Sequence, residues 1–169
     1  YVDTGTYLQP RDIEIAPEDG GAEGAPVRIV GPTGDAVASF DRGGRASGFE
    51  NVTISAAHVS VEGLRLGNAE DGVVVLDGAR FVTLSDIVLR DIDDYGIYVH
   101  DGAADITILR PDAQGVGRGG NDPAIWVGGD RVELRDMALQ DNYRGLFVNG
   151  TAGGFLAEGG SITGHDTYG

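Results

Sequence analysis

Three aromatic residues recur in the same local setting, each between two apolar residues. Tyr98, Trp126 and Phe147 stand in the segments Ile97-Tyr98-Val99, Ile125-Trp126-Val127 and Leu146-Phe147-Val148. If the apolar neighbours point inward, the rings between them point outward and can stack on sugar rings or receive a partner. His100 and Asn149 follow two of these segments and are the further candidates for ligand contacts. The alternative is that the turn 111–122 or a flanking domain covers the rings.

Acidic residues collect in the turns around these segments. Carboxylates stacked on adjacent turns repel each other unless a cation or an arginine lies between them. Ca²⁺ binds six to eight oxygen ligands, so it is the one cofactor that the sequence suggests. The candidate metal ligands are Asp91, Asp93, Asp94, Asp122 and Asp141. The alternative is solvated turns capped by Asp side chains, because the sequence has neither an EF-hand loop nor a glycine-rich nonapeptide repeat.

Acid–base chemistry on the same face would draw on four side chains. Proton abstraction beside a uronate carboxylate needs a base such as His, Tyr or Arg and a positive charge that neutralises the carboxylate. Tyr95, His100, Arg144 and Asp122 are the candidate catalytic residues for such a reaction. No Ser-His-Asp set or phosphate-binding loop stands out beside them.

The composition excludes several classes of protein. The 169 residues include 27 acidic and 12 basic side chains, a net charge of −15, so we expect neither nucleic acid nor an anionic membrane surface as a partner. No apolar run is long enough for a transmembrane helix, so we expect no membrane insertion. The absence of Cys removes disulfides and zinc–thiolate sites. The 29 Gly and the excess of Asp predict many turns and few helices.

The segments that carry these residues repeat about every 23 residues. Val59, Val82, Ile106, Val132 and Phe155 begin equivalent stretches, at spacings of 23, 24, 26 and 23 residues. Within each stretch the apolar residues alternate, which indicates strands and not helices. Such short strands at this period predict a parallel β-helix, in which equivalent strands stack about 4.8 Å apart. The expected fold is an all-β solenoid of six to seven coils, each with three short strands.

The chain is expected to form one domain over residues 1–169. Residues 1–48 are less regular: 13–15 and 27–29 are predicted strands, whereas 16–26 and 31–48 are predicted loops. Residues 49–169 hold the regular coils. The chain begins Tyr1-Val2-Asp3 and stops within a repeat, so we interpret it as a piece of a longer protein whose open ends could pair end to end with another copy.

Particular phrases also carry a family resemblance. The run Tyr95-Gly-Ile-Tyr-Val-His100-Asp101 and the opening Thr4-Gly-Thr-Tyr7 with Ala25-Pro-Val-Arg-Ile-Val-Gly31 resemble the right-handed parallel β-helix, or pectate-lyase-like, superfamily. Gly31-Pro-Thr-Gly and Phe40-Asp-Arg-Gly43 are similar to β-helix stretches of large modular bacterial extracellular proteins. The resemblance implies a right-handed solenoid that is secreted or at the cell surface, in a bacterium or a halophile. Many binding and enzymatic functions share this scaffold.

One comparison within the superfamily is sharper. Mannuronan C5-epimerases carry Tyr-Gly-Phe-Asp-Pro-His-Glu on such a coil, and this chain keeps the Tyr, Gly and His as Tyr95, Gly96 and His100. The Asp that the family uses in its reaction is replaced by Tyr98 and the Pro by Val99. The departure argues against epimerase activity, and the lack of Lys removes a residue common in related lyases.

The sequence therefore favours a non-catalytic module of a secreted or surface protein. Its partners would be a polysaccharide, bound through the aromatic residues, or neighbouring domains of the same chain. The alternative is a fragment of a polysaccharide lyase or epimerase that acts on an acidic polysaccharide, with Ca²⁺ countering the substrate's charge.

Overall fold

The chain winds into a parallel β-solenoid with almost no helix. The computed structural model describes residues 1–34, 36–43, 49–150 and 152–166. One short 3₁₀ helix, Pro17–Asp19, interrupts the strands. The strands are β1 Gly5–Leu8, β2 Ile13–Ile15, β3 Val27–Val30, β4 Ala38–Asp41, β5 Glu50–Ile54, β6 Ala57–Glu62, β7 Leu64–Gly67, β8 Asp71–Val75, β9 Arg80–Ser85, β10 Val88–Arg90, β11 Ile97–Val99, β12 Ala104–Leu109, β13 Asp112–Gln114, β14 Pro123–Val127, β15 Asp130–Gln140, β16 Arg144–Val148 and β17 Leu156–Thr163.

Each strand pairs in parallel with the equivalent strand one coil away. One sheet of six strands has the order β16-β14-β11-β8-β5-β2, and the other sheet has 11 strands on its main path. Five successive pairings link β2 to β16, which corresponds to about five turns of the solenoid. The expected six to seven coils with three strands each are not confirmed, and β15 and β17 are long strands that run through the position where two shorter strands stand in other coils.

The core consists of columns of apolar side chains stacked along the solenoid. Val59, Val82, Ile106 and Val132 are paired in register and are at most 1% exposed. Successive side chains of a strand point to opposite faces, so the apolar residues of each strand point inward and the polar residues between them point outward. Stacked over the coils, the inward residues form one continuous core.

The corners of the coil use left-handed backbone conformations, and many of them are occupied by Asp. Asp86, Asp91, Asp105, Asp136 and Asp141 have φ between 52° and 59°. Asp tolerates this region better than most residues with a side chain, because its short polar group can bond to nearby backbone. Corner geometry therefore explains part of the Asp excess, which the sequence analysis connected with turns.

Two predicted loops contain strands. Residues 38–41 of the predicted loop 31–48 form β4, which pairs with β1 and β7, while residues 44–48 of that loop lie outside the described residues. Residues 112–114 of the turn 111–122 form β13, which continues the ladder from β10 to β15. Among the described residues, no helix has the length and apolar character needed to cross a membrane.

Candidate functional site

The six-stranded sheet places the aromatic residues on one outward column. Tyr98 pairs with Trp126 across β11 and β14, and Trp126 pairs with Phe147 across β14 and β16. Their neighbours Ile97, Val99, Ile125 and Val127 are completely buried on the opposite side of the sheet. The register agrees with the column expected from the repeat, so the solenoid aligns rings that are 28 and 21 residues apart in the sequence.

A fourth ring joins this column from the preceding turn. Trp126 stacks on Phe147 with ring centroids 4.2 Å apart, and it meets Tyr98 edge-on at 6.0 Å. Tyr95 stacks on Tyr98 at 4.7 Å and contacts Trp126 edge-on at 5.8 Å. We call Tyr95, Tyr98, Trp126 and Phe147 the ring face. Contacts of this kind stabilise aromatic clusters beyond the area that they bury.

The ring face is open to solvent along part of its length. Phe147 is 39% exposed, whereas Tyr98 and Trp126 are partly buried. Val74, one coil before Tyr98 in the same column, is only 5% exposed, so the accessible part begins at Tyr98. Two open grooves, of about 400 and 570 Å³, lie on other sides of the solenoid, and no ring of the ring face lines either of them.

Residues 115–122, part of the turn that the alternative interpretation places over the rings, pack on the preceding coil. The backbone N–H groups of Gly119 and Gly120 donate to the carbonyl oxygen of Asp93, so this turn packs on the equivalent turn of the preceding coil. The same turn contacts the ring face through Asp122, whose carboxylate accepts a hydrogen bond from the Tyr95 hydroxyl.

Three carboxylates stack beside the ring face on successive coils. Glu70, Asp94 and Asp122 each stand three residues before an in-register residue of the six-stranded sheet, and we call them the acidic column. The Asp94 N–H donates to the Glu70 carbonyl oxygen at 2.8 Å. A Cβ atom placed on Gly120 would lie 2.2 Å from Oδ1 of Asp94 and 2.2 Å from Oδ2 of Asp122, so both carboxylates converge on this glycine.

Burial and crowding raise the pKa of Asp94 in the acidic column and of Asp71 beside it. Burial, followed by repulsion from Asp94, Glu50 and Glu70, raises the pKa of Asp71 to about 7, although its Oδ1 accepts the Tyr95 N–H at 2.9 Å. Burial and then the charges of Asp122 and Glu70 raise the pKa of Asp94. Both shifts indicate a site that would gain from a nearby positive charge.

Among the candidate catalytic residues, Tyr95 is poorly suited to act as a base. Burial, and then its hydrogen bond to the Asp122 carboxylate, raises the pKa of the Tyr95 hydroxyl well above its usual value. A general base works best with a pKa near the working pH, so the hydroxyl is held as a donor to Asp122.

The other catalytic candidates divide between the ring face and its edge. The His100 ring lies 4.4 Å from that of Tyr98, and its Nδ1 is 3.7 Å from Oδ1 of Asp77. The Arg144 guanidinium lies over the ring of the adjacent Tyr143, at 5.5 Å from its centroid. The structure thus brings Tyr95 and Asp122 together, and His100 joins them through its contact with Tyr98. Arg144 instead contacts Tyr143, the residue before it in the sequence.

The candidate metal ligands fall into two separate turns. Asp93, Asp94 and Asp122 lie in the turns before the six-stranded sheet. Asp91 and Asp141 occupy equivalent corners after β10 and β15, where Gln114 Nε2 donates to Oδ2 of Asp141 at 3.4 Å. Within the described part of the chain, no three His, Asp or Glu side chains are grouped so that they could hold a metal ion.

Asn149 and two acids border the other end of the ring face. Asn149 Nδ2 donates to Oδ1 of Asp101 at 3.3 Å, and Asp77 and Asp101 both contribute to a raised pKa at Tyr98, after the larger effect of burial.

Sequence reasoning missed Glu70 and Asp71 as parts of the site and did not place Tyr95 among the stacked rings. The equivalent Gly72 and Gly96 were a usable signal, because they align Asp71 with Tyr95.

Comparison with known proteins shows the fold alone. No family model matches the sequence, and no curated protein is significantly similar to it. An alginate lyase from Paenibacillus sp. FPU-7 matches over 96% of this chain and 60% of its own, at 19% identity and a TM-score of 0.76. A rhamnogalacturonan lyase matches over 96% of this chain and 54% of its own, at 15% identity and a TM-score of 0.62. The chain thus shares the parallel β-helix fold of these neighbours and spans little more than half of their length.

Proposed function

We propose that this chain is a non-catalytic β-helix module that binds a polysaccharide along the ring face. The observation that carries the proposal is the continuous column of Tyr98, Trp126 and Phe147 on one outward side of the sheet, with Phe147 39% exposed. Rings aligned along the axis at about one per coil form an apolar strip against which successive sugars of one chain can pack. His100 and Asn149, at the ends of β11 and β16, are the polar groups that would border the bound sugar.

The charges around the ring face support binding over elimination chemistry. A lyase that acts on uronates must neutralise the substrate's carboxylate, yet the acids of the acidic column lie beside the rings. The raised pKa of Tyr95 makes this candidate base unsuitable at neutral pH. These features favour a surface that holds a sugar chain without reacting with it.

The comparisons support a polysaccharide as the class of ligand. Both neighbours are, by name, polysaccharide lyases, although likeness at 19% and 15% identity carries over only the scaffold. A module of this kind would act outside the cell, so we extend the proposal to a secreted or surface protein. Three further predictions belong to this proposal. Each coil has three strands, copies of the chain pair end to end through β16 and β17, and the acids of the turns bind Ca²⁺.

A panel of immobilised glycans, with and without Ca²⁺, tests the proposal. We expect saturable binding to at least one polysaccharide, weakened about tenfold or more by Phe147→Ala, since one aromatic contact in a binding site contributes about 1 to 3 kcal/mol. Phe81→Ala is the matched control, because Phe81 is 51% exposed and stacks on His58 in another part of the coil. Equal binding by both variants, or no binding by the wild type, would remove the proposal.

The second candidate function is a polysaccharide lyase, favoured by the contacts that join His100, Tyr98 and Tyr95. It predicts unsaturated products from alginate, pectate or rhamnogalacturonan with Ca²⁺ present, detected by ultraviolet absorbance. His100→Ala would abolish such activity. Absence of product from all three substrates would exclude it.

A further inference from the structure

Several acidic side chains elsewhere on the solenoid are paired with an arginine one coil away. Arg110 makes two hydrogen bonds of 2.7 Å to Asp86, and Arg131 makes two of 2.6 and 2.8 Å to Asp105. These are bidentate ion pairs between equivalent corner positions of adjacent coils, and they offset the repulsion that stacking creates.

The acidic column departs from this arrangement. Glu70, Asp94 and Asp122 follow one another on three successive coils, and among the described residues no arginine forms an ion pair with them. One carboxylate oxygen of Glu70 is buried without a hydrogen-bond partner. Burial and then repulsion from Asp122 and Glu70 raise the pKa of Asp94, which shows that these acids crowd one another on this side of the solenoid.

That charge lies against the ring face and is physically connected to it. The Tyr95 hydroxyl bonds to Asp122, and the Tyr95 N–H bonds to Asp71, so the ring that stacks on Tyr98 is held by two carboxylates. A sugar chain that lies on the rings therefore passes directly beside the acids.

We propose that the ring face binds a cationic amino-sugar chain, whose ammonium groups lie against Asp94 and Asp122 while its sugar rings pack against Trp126 and Phe147. This inference rests on the proposed function and names the class of its ligand. A polyuronate would add carboxylates to a surface that already repels them, and a neutral sugar would leave the acidic column unpaired. An ammonium group satisfies both carboxylates through charge-assisted hydrogen bonds.

The number of oxygen ligands near the acidic column favours an amine over a metal ion as the group that binds there. Ca²⁺ needs six or more oxygen ligands, and the described residues show no group of three side chains that could supply them. An ammonium group has three donors, which two converging carboxylates and a carbonyl oxygen can accept.

Isothermal titration with three matched hexasaccharides tests the inference. The probes are β-1,4-linked glucosamine, its fully N-acetylated form and oligogalacturonate, each in low and high salt and in EDTA. We expect the glucosamine hexamer to bind at least tenfold more tightly than the other two, with affinity that falls as salt rises. Asp94→Asn/Asp122→Asn should weaken it about tenfold or more, whereas the control Glu18→Gln/Glu23→Gln, which removes the same charge from exposed residues, should not.

The outcomes separate this inference from the proposed function. Equal or tighter binding of the N-acetylated or galacturonate hexamer, lost in Trp126→Ala, would overturn the cationic ligand and leave the ring face as a glycan site. Galacturonate binding that needs Ca²⁺ and disappears in Asp94→Asn/Asp122→Asn would overturn it in favour of a metal site. No binding of any of the three hexamers would overturn the inference, and no binding of any glycan in the wider panel would remove the proposed function as well. Thermal unfolding of each variant shows whether the fold is intact.

Discussion

Trp126 stacks on Phe147, one coil further along the solenoid, with ring centroids 4.2 Å apart and ring planes 23° from parallel. The contact exists because β14 and β16 pair in register, so two residues 21 positions apart occupy equivalent outward sites. The same register places Tyr98 beside Trp126 and Asp71 beside Tyr95. Parallel stacking thus assembles the ring face and its acidic border from short segments of separate coils.

The contribution of Asp71 to the stability of the fold should fall as pH rises. Its pKa is raised to about 7 in the folded chain, mainly by burial, against 3.8 as the ordinary value. The folded state therefore binds the proton more tightly than the unfolded state, and folding loses stability between about pH 4 and pH 7. Asp71→Asn keeps an oxygen for the Tyr95 N–H and should stabilise the protein by about 2 to 4 kcal/mol at pH 8, with little gain at pH 3.

Urea denaturation at the two pH values measures this difference. The exposed Asp3→Asn is the matched control and should give the same small effect at both. A gain for Asp71→Asn that is equal at pH 3 and pH 8 would show that Asp71 is ionised as easily in the folded chain as in the unfolded one.

Asp122 should control the ionisation of Tyr95. Its carboxylate accepts the Tyr95 hydroxyl and, after burial, is the main cause of the raised pKa of that group. Asp122→Asn removes the negative charge, so the pKa of Tyr95 should fall toward its ordinary value. NMR titration of ¹³C-labelled tyrosine can follow the ring directly, with the exposed Tyr1 as an internal reference. An unchanged titration would mean that the hydrogen bond is not formed in solution.

The left-handed corners should tolerate only certain side chains. Asp136 is exposed, within β15, with φ of 53°. Asp136→Val should cost about 1 to 2 kcal/mol, because a β-branched residue is strained in this region, whereas Asp136→Gly should be neutral or stabilising. Ala138→Val, exposed in the same strand, is the control and should cost little. Chemical denaturation of the variants gives the comparison, and equal costs for both Val variants would contradict the corner geometry.

Core packing should make leucine truncations strongly position-dependent. Leu134 is completely buried and stacks on Ile108, whereas Leu156 is 41% exposed in β17. Leu134→Ala should destabilise the protein by about 3 kcal/mol, and Leu156→Ala by less than about 1 kcal/mol. Urea denaturation distinguishes them. Similar losses would mean that the column containing Ile108 and Leu134 is not the core.

The sequence predicted the features that depend on the repeat. The alternation around Val82, Ile106 and Val132 set the inward columns, and the spacing of Tyr98, Trp126 and Phe147 set their common face. Both follow from one rule, since equivalent positions of a parallel solenoid lie above one another.

Features that depend on local backbone geometry were not visible in the same way. β4 has the sequence Ala-Ser-Phe-Asp, with two inward residues and little apolar signal, so the sequence predicts a loop there although Ala38 is completely buried. Tyr95 lies in a turn, and its direction is set by bonds to Asp71 and Asp122 from neighbouring coils. Such contacts between coils determine the acidic border of the site, and alternation within one strand carries no information about them.

The central claim is that a sugar chain lies on the ring face, and Trp126 reports it directly because it is the one Trp of the chain. Intrinsic fluorescence should be titrated with the glycan that binds best in the panel, beside the Phe147→Ala variant. We predict a saturable change in intensity and emission maximum, with the same affinity as calorimetry and about tenfold weaker in the variant. Binding detected by calorimetry with no change in Trp126 emission would place the sugar elsewhere on the solenoid and contradict the account.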